Sequence, residues 1–209
     1  MNKTKIEWTD YTWNPVTGCL HGCEYCYARK ISMRFNGHFE PEFHEDRLEQ
    51  PYKAKKPSKI FVSSMGDLLG EWVKPEWIER VIITAKYNPR HTFQFLTKNP
   101  KRYREFDWPY NCWLGATATN QKEYDKAATV FVDGDFENTF FISCEPLLGK
   151  IKMRIVWLDW LIIGSQTNPD KQPEKEWVKM LLDKAKADRT FVFCKNNLDY
   201  PDKPQEFPK

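Results

Sequence analysis

The sequence predicts an α/β fold, arranged as a partial, open barrel of about six to seven parallel β/α units. Two observations carry this. Short apolar runs recur along the chain, and segments of helical periodicity lie between them. The 209 residues suffice for one domain with a substantial core. The units are too few for the usual eight-unit barrel. Residues 1–209 read as a single domain.

The first candidate strand lies around Thr12 to Thr17, weakened by Pro15, which cannot donate to a ladder. Further strands are read at 59–64 (Lys-Ile-Phe-Val-Ser-Ser), 92–97 (Thr-Phe-Gln-Phe-Leu-Thr), 112–117 (Cys-Trp-Leu-Gly-Ala-Thr), 139–144 (Thr-Phe-Phe-Ile-Ser-Cys), 159–164 (Asp-Trp-Leu-Ile-Ile-Gly) and 190–194 (Thr-Phe-Val-Phe-Cys). Runs this short and apolar suit parallel strands buried on both faces. Helices are read at 26–35, 75–87, 99–106, 120–130 and 173–187. Pro75 and Pro173 are good first residues. Ile78, Val81, Ile82 and Ala85 fall on one stripe, as do Trp177, Val178, Leu181, Leu182 and Ala185. Residues 36–58 form a polar excursion, and 199–209 an extended tail.

With 32 basic and 29 acidic residues the net charge is +3, a bias too weak to demand or exclude a nucleic-acid partner. Aromatics make up 15% of the chain, which core packing accounts for by default. No apolar stretch approaches the roughly 20 residues that span a bilayer, so no membrane partner is expected. The opening Met1-Asn2-Lys3-Thr4-Lys5 lacks the apolar run of a secretion signal. That points to a reducing, cytoplasmic location, where cysteines are metal ligands or free thiols more often than disulfides.

The most specific motif is Gly18-Cys19-Leu20-His21-Gly22-Cys23-Glu24-Tyr25-Cys26-Tyr27. Three thiolates this close can clamp one metal centre, one ligand short of a closed four-thiolate site. Gly18 and Gly22 give the loop the freedom to wrap a cluster. Three other readings use the same residues: a zinc site completed by His21 or a distant ligand, an electron-transfer cluster with a remote fourth Cys, and free structural thiols.

Polar residues also collect at the carboxyl ends of the candidate strands, where parallel barrels carry their chemistry. They are Ser64 and Asp67, Lys98, Thr117 and Thr119, Glu145, Gln166, and Lys195 with Asn196. The amino ends show no comparable set. Structural readings stand beside each: Asp67 as a turn cap, Ser64 as a strand end, Lys98 as a solvated lysine, Glu145 in a surface salt bridge. Cys144 and Cys194 read as buried core thiols, and Cys112 as structural. Lys53, Lys55, Lys56 and Lys59 form a basic stretch that reads either as a solvated face or as a phosphate contact.

The cysteine spacing, with an aromatic residue before the last Cys, resembles the cluster loop of the radical S-adenosylmethionine (SAM) enzymes. Ile6-Glu7-Trp8-Thr9-Asp10, Thr12-Trp13-Asn14-Pro15-Val16-Thr17-Gly18-Cys19, Ser64-Met65-Gly66-Asp67-Leu68, Leu96-Thr97-Lys98 and Ser143-Cys144-Glu145-Pro146-Leu147-Leu148-Gly149 resemble signatures of a phage- and prophage-associated family of unknown function. The chain departs from that family at Gly164-Ser165-Gln166, where Gly-Gly-Glu is usual, and at Lys195-Asn196, where Lys-Gln is usual.

The resemblance implies a 4Fe–4S cluster on Cys19, Cys23 and Cys26, with SAM on the fourth iron, cleaved on reduction to a 5′-deoxyadenosyl radical. Leu96-Thr97-Lys98 resembles the spore photoproduct lyase branch, which implies Lys98 as partner of the SAM carboxylate. Tyr25 would lie by the adenine, Ser64 and Asp67 by the ammonium, and Thr117 or Thr119 by the ribose or carboxylate. Glu145 would bind SAM or substrate. The implied partners are an external flavodoxin- or ferredoxin-like electron donor and a nucleotide or nucleic-acid substrate, in a host cytoplasm. The rival is a zinc- or iron–sulfur-bearing binding module without turnover.

Overall fold

The computed structural model describes residues 1–154 and 158–208. Its strands are β1 (Asn2–Lys3), β2 (Tyr11–Trp13), β3 (Val16–Thr17), β4 (Glu42–Phe43), β5 (Lys59–Val62), β6 (Thr92–Thr97), β7 (Cys112–Thr117), β8 (Phe140–Cys144), β9 (Trp160–Ile163), β10 (Gln166–Thr167), β11 (Asp170–Lys171) and β12 (Phe191–Cys194). The α-helices are α1 (Tyr27–Asn36), α2 (Pro75–Lys86), α3 (Gln121–Asp133) and α4 (Lys175–Asp188). The protein is a mixed α/β chain with a mostly parallel eight-stranded sheet, ordered β1-β2-β5-β6-β7-β8-β9-β12. That order never departs from chain order, as successive crossovers of one hand produce. The chain divides into two compact units, Met1–Leu114 and Gly115–Lys209.

In the first unit β2, β5 and β6 pair in parallel, and β1 joins β2 antiparallel. Ile60, Val62, Phe93 and Phe95 are buried, and α2 buries the expected Ile78, Val81, Ile82 and Ala85. Burying each such side chain favours folding by about 1.5–3 kcal/mol. The single strand expected over Thr12–Thr17 is instead two. Pro15 has no N–H to give, and the chain turns at Asn14, whose Oδ1 accepts from Ser64 Oγ (3.2 Å) and Met65 N (2.8 Å). The second piece, β3, pairs antiparallel with β4, so the polar excursion contains a strand.

The helix expected at 99–106 is a 3-10 helix over Pro100–Glu105. The Arg102 guanidinium draws it in, donating to Gly70 O (2.6 Å) and Val73 O (2.9 Å).

In the second unit β8, β9 and β12 pair in parallel. Every residue of β8 and β9 is buried, as strands covered on both faces require. Gly115 lets Phe141 lie against β7; a Cβ there would sit 2.2 Å from the Phe141 ring. The tail is extended, as expected, but anchored. Cys194 N donates to Pro204 O (2.7 Å), Glu206 N to Val192 O (2.8 Å) and Trp160 Nε1 to Glu206 O (2.9 Å). Phe207 packs on Trp160 and Phe193. Lys209, the last residue of the expected tail, lies outside the described residues.

Candidate functional site

The cysteine loop hangs between β3 and α1, fastened at one tight crossing. Gly18 has φ +84°, a region that disfavours side chains. Its N donates to Met65 O (2.9 Å), and it bridges Gly66. A Cβ on Gly18 would meet Glu40 O at 2.0 Å, and one on Gly66 would meet Gly18 O at 2.7 Å. Both glycines are therefore dictated by close backbone approach.

Beyond the crossing, Cys19 N donates to Phe39 O (3.2 Å) and Cys26 N to Cys23 O (3.2 Å). Cys26 caps α1, its Sγ accepting from Arg29 N (3.3 Å). Cys19, Cys23 and Cys26 are all free and half-exposed.

Burial pushes the Cys19 thiol up to about 12, with Asp67 and the other two cysteines adding to the rise and the His21 backbone N–H opposing it. Metal loading must therefore displace a proton from Cys19. Three thiols on one bent loop, with open space around Gly22, fit the donor set of a three-cysteine cluster. Among the described residues no group of three or more His, Cys, Asp or Glu side chains is gathered as a single metal ion would need.

Asp67 ties this loop to the strand ends. It is buried. Its Oδ1 accepts from Leu69 N (3.0 Å), and its Oδ2 from Thr97 Oγ1 (3.0 Å) and Lys98 N (3.0 Å). His21 Nε2, from inside the cysteine motif, is 2.8 Å from the same Oδ2. The His21 ring meets Trp72 edge-on at 4.8 Å. Of the two readings of Asp67, ammonium partner and turn cap, the bond from Leu69 N accords with the cap, and the other contacts engage the same carboxylate inside the protein.

Lys98 Nζ lies 5.7 Å from the centre of the Tyr25 ring, so these two expected residues do meet beside the loop. Ser64 contacts Asn14, and its carbonyl accepts from Tyr27 OH (2.6 Å). Sequence reasoning missed Ser63. It has φ +56°, and its buried Oγ has no hydrogen-bond partner. Nothing in the local sequence signals that conformation.

In the second unit Thr117 ends β7 and is half-buried. Thr119 is engaged in capping: its N and Oγ1 donate to Glu123 Oε2 (2.7 and 2.8 Å), while Asn120 Oδ1 accepts from Glu123 N (3.1 Å). Thr119, expected to contact ribose or carboxylate, thus takes part in the helix-start network. Glu145, expected to meet a ligand, forms an ion pair with Lys195.

Gly164 makes room for that pair; a Cβ there would lie 3.2 Å from both Glu145 Cγ and Lys195 Cδ. Asn197, also missed, closes the neighbouring loop by accepting from Ser165 Oγ at its carbonyl (2.7 Å) and donating to Ser165 O (2.9 Å). Gln166 lies in the β10–β11 hairpin. Cys144 and Cys194 are buried, and burial pushes both thiols up to about 12. Cys112 is buried and pushed up likewise. All three suit structural thiols.

The chain is thus a mixed α/β protein whose parallel strands follow chain order, with a three-cysteine loop pinned to strand ends. It belongs to the family described as "Protein of unknown function (DUF5131)", which matches residues 3–204. No curated protein and no solved structure matches it. Among the described residues no helix is long and apolar enough to cross a membrane.

Proposed function

We propose that this chain is a radical SAM enzyme, with Cys19, Cys23 and Cys26 holding a 4Fe–4S cluster. One observation carries the reading: three free, half-exposed cysteines share a single glycine-bent loop, with Lys98 and Tyr25 together beside it. The chain-ordered parallel strands support an open β/α barrel, whose chemistry would sit at the strands' carboxyl ends.

When bound, the cluster would supply the electron that splits SAM into methionine and a 5′-deoxyadenosyl radical, which takes a hydrogen atom from the substrate. Lys98 would hold the SAM carboxylate, and the Tyr25 ring would cover the adenine. Asp67 and His21 would fix the loop's position. Thr117 and Glu145 remain candidates for SAM or substrate contacts. The electron would come from a small redox protein of the flavodoxin or ferredoxin kind. A nucleotide or a nucleic-acid base is the proposed substrate, and the host cytoplasm the proposed location.

Anaerobic reconstitution tests the reading. About four irons and four sulfides per chain, and 5′-deoxyadenosine released on reduction with SAM, are the expected results. Lys98→Ala should raise the KM for SAM while cluster content is kept. Failure to take up iron would overturn the proposal.

One observation favours a rival. The His21–Asp67 contact is the kind of carboxylate support that metal-binding histidines receive, so a zinc-bearing binding module is the second reading. It predicts roughly one zinc and no sulfide per chain.

A further inference from the structure

Three exposed tyrosines stand at the amino ends of strands in the first unit. Tyr52 (48% exposed) precedes β5, Tyr87 (70%) lies between α2 and β6, and Tyr110 (76%) precedes β7. Hydrogen bonds join the three segments into one surface. Arg90 Nη2 donates to Tyr52 O (3.3 Å), and Thr92 N donates to Ser58 O (3.0 Å). Asn111 Nδ2 donates to Asn88 O (3.3 Å) and His91 O (3.0 Å).

Cations crowd the same segments. Residues 52–59 hold Lys53, Lys55, Lys56 and Lys59, and residues 86–91 hold Lys86 and Arg90. Across 52–59, 86–91 and 107–111 the one carboxylate is Asp107. Acids also adjoin the face: Asp10, whose Oδ2 accepts from Lys59 N (2.7 Å), and the exposed Glu49 and Glu105, the latter paired with Arg102. Lys53, Lys55, Lys56, Lys86 and Arg90 are exposed.

These segments contain no Leu, Ile, Val or Met, and one exposed aliphatic side chain, Ile83, adjoins them a helical turn before Tyr87. A protein-docking patch would centre on aliphatic and aromatic anchors together. Aromatic rings set among cations instead match what unpaired bases and a phosphate backbone require: flat faces to stack on, and positive charge for the phosphates.

We propose that this face binds single-stranded nucleic acid. Tyr52, Tyr87 and Tyr110 stack on bases, while Lys53, Lys55, Lys56, Lys86 and Arg90 meet phosphates. The face lies at the amino ends of the strands and does not involve the cysteine loop, so the inference stands apart from the cluster chemistry.

Fluorescence anisotropy of the intact chain with a labelled oligo(dT) of about 16 nucleotides tests it. Affinity should fall with salt, the log–log slope approaching roughly −3.5 if all five cations meet phosphates. Reversing Lys53, Lys55 and Lys56 to Glu together should flatten the slope by about 2 units. Tyr87→Ala and Tyr110→Ala should each weaken binding roughly tenfold without changing the slope, and Tyr110→Phe should restore it. Circular dichroism should be unchanged, since these positions are exposed.

Reversing Lys179 and Lys186 on α4 to Glu is the control and should leave affinity in place. No binding at low salt would overturn the proposal. So would charge reversals that act while the tyrosine variants do nothing, or an equal loss in the α4 control.

Discussion

Two carboxylates stand just past strand ends in opposite circumstances. Asp67 is buried in the first unit and surrounded by Leu69 N, Thr97 Oγ1, Lys98 N and His21 Nε2. Glu145, in the second unit, is a quarter exposed and faces one cation, Lys195. The surroundings decide what each can do. A carboxylate held by several donors from separate segments fixes those segments relative to one another, and removing it strands every donor. A carboxylate with one cationic partner and an exposed edge has room to take up another. The difference is one of access: Asp67 is enclosed by donors of the protein, whereas Glu145 keeps an exposed edge.

The contrast extends to the glycines beneath the two groups, and breaking it there should give the largest effect. Gly18→Ala places a Cβ against backbone and should cost about 4 kcal/mol or prevent folding. Gly164→Ala meets only side chains and should cost less than about 1 kcal/mol. Urea unfolding measures both, and equal costs would erase the distinction.

Next, Asp67→Asn should cost about 3 kcal/mol, because an amide cannot accept from all the donors. Glu145→Gln should cost under about 1 kcal/mol. A larger loss at Glu145 would reverse the contrast. Smaller still, a double-mutant cycle between Glu145→Gln and Lys195→Met should give a coupling of about 1 kcal/mol that shrinks as salt rises.

The gentlest probe is pH. Burial and Arg90 lower the proton affinity of His91, as burial and Arg47 do for His44, from the usual 6.5. Below pH 6.5 the unfolded chain therefore holds more protons than the folded one, and first-unit stability falls as pH falls. Burial raises Asp159 of the second unit above its usual 3.8. Above pH 3.8 the folded state holds the extra proton there, so this contribution weakens as pH rises toward the folded value. Thermal unfolding of His91→Gln should show a shallower loss between pH 6.5 and 5. An unchanged profile would remove His91 as the cause.

Strands β5 to β9 and β12 were legible because they are largely buried apolar runs, and 92–97 and 112–117 agree with β6 and β7 to the residue; the two-residue β1, β4, β10 and β11 are exposed or half-exposed and carry no such run. The cysteine motif was legible because its spacing is local. The 3-10 helix at Pro100 was not, because Arg102 bonds to carbonyls some thirty residues earlier in the chain. The same holds for His21 and Asp67, separated by 46 positions with no periodicity to link them. The start of α3 was legible: Asn120 followed by Glu123 is a helix-start signature, and Thr119 joins it through Glu123 Oε2. Ser63 offered no signal, since a left-handed serine is set by the turn that tertiary packing imposes.

The anchored tail has a consequence for how this protein behaves in concentrated solution. Strand β12 is last in sheet order, and its outward backbone groups would otherwise invite a second molecule to add a strand. Residues 204–206 occupy that rung, and Phe207 seals it against Trp160 and Phe193. Residues 204–207 thus act as a built-in competitor against self-templated aggregation. A proteolytic nick near Asp199 would turn a covered edge into an adhesive one.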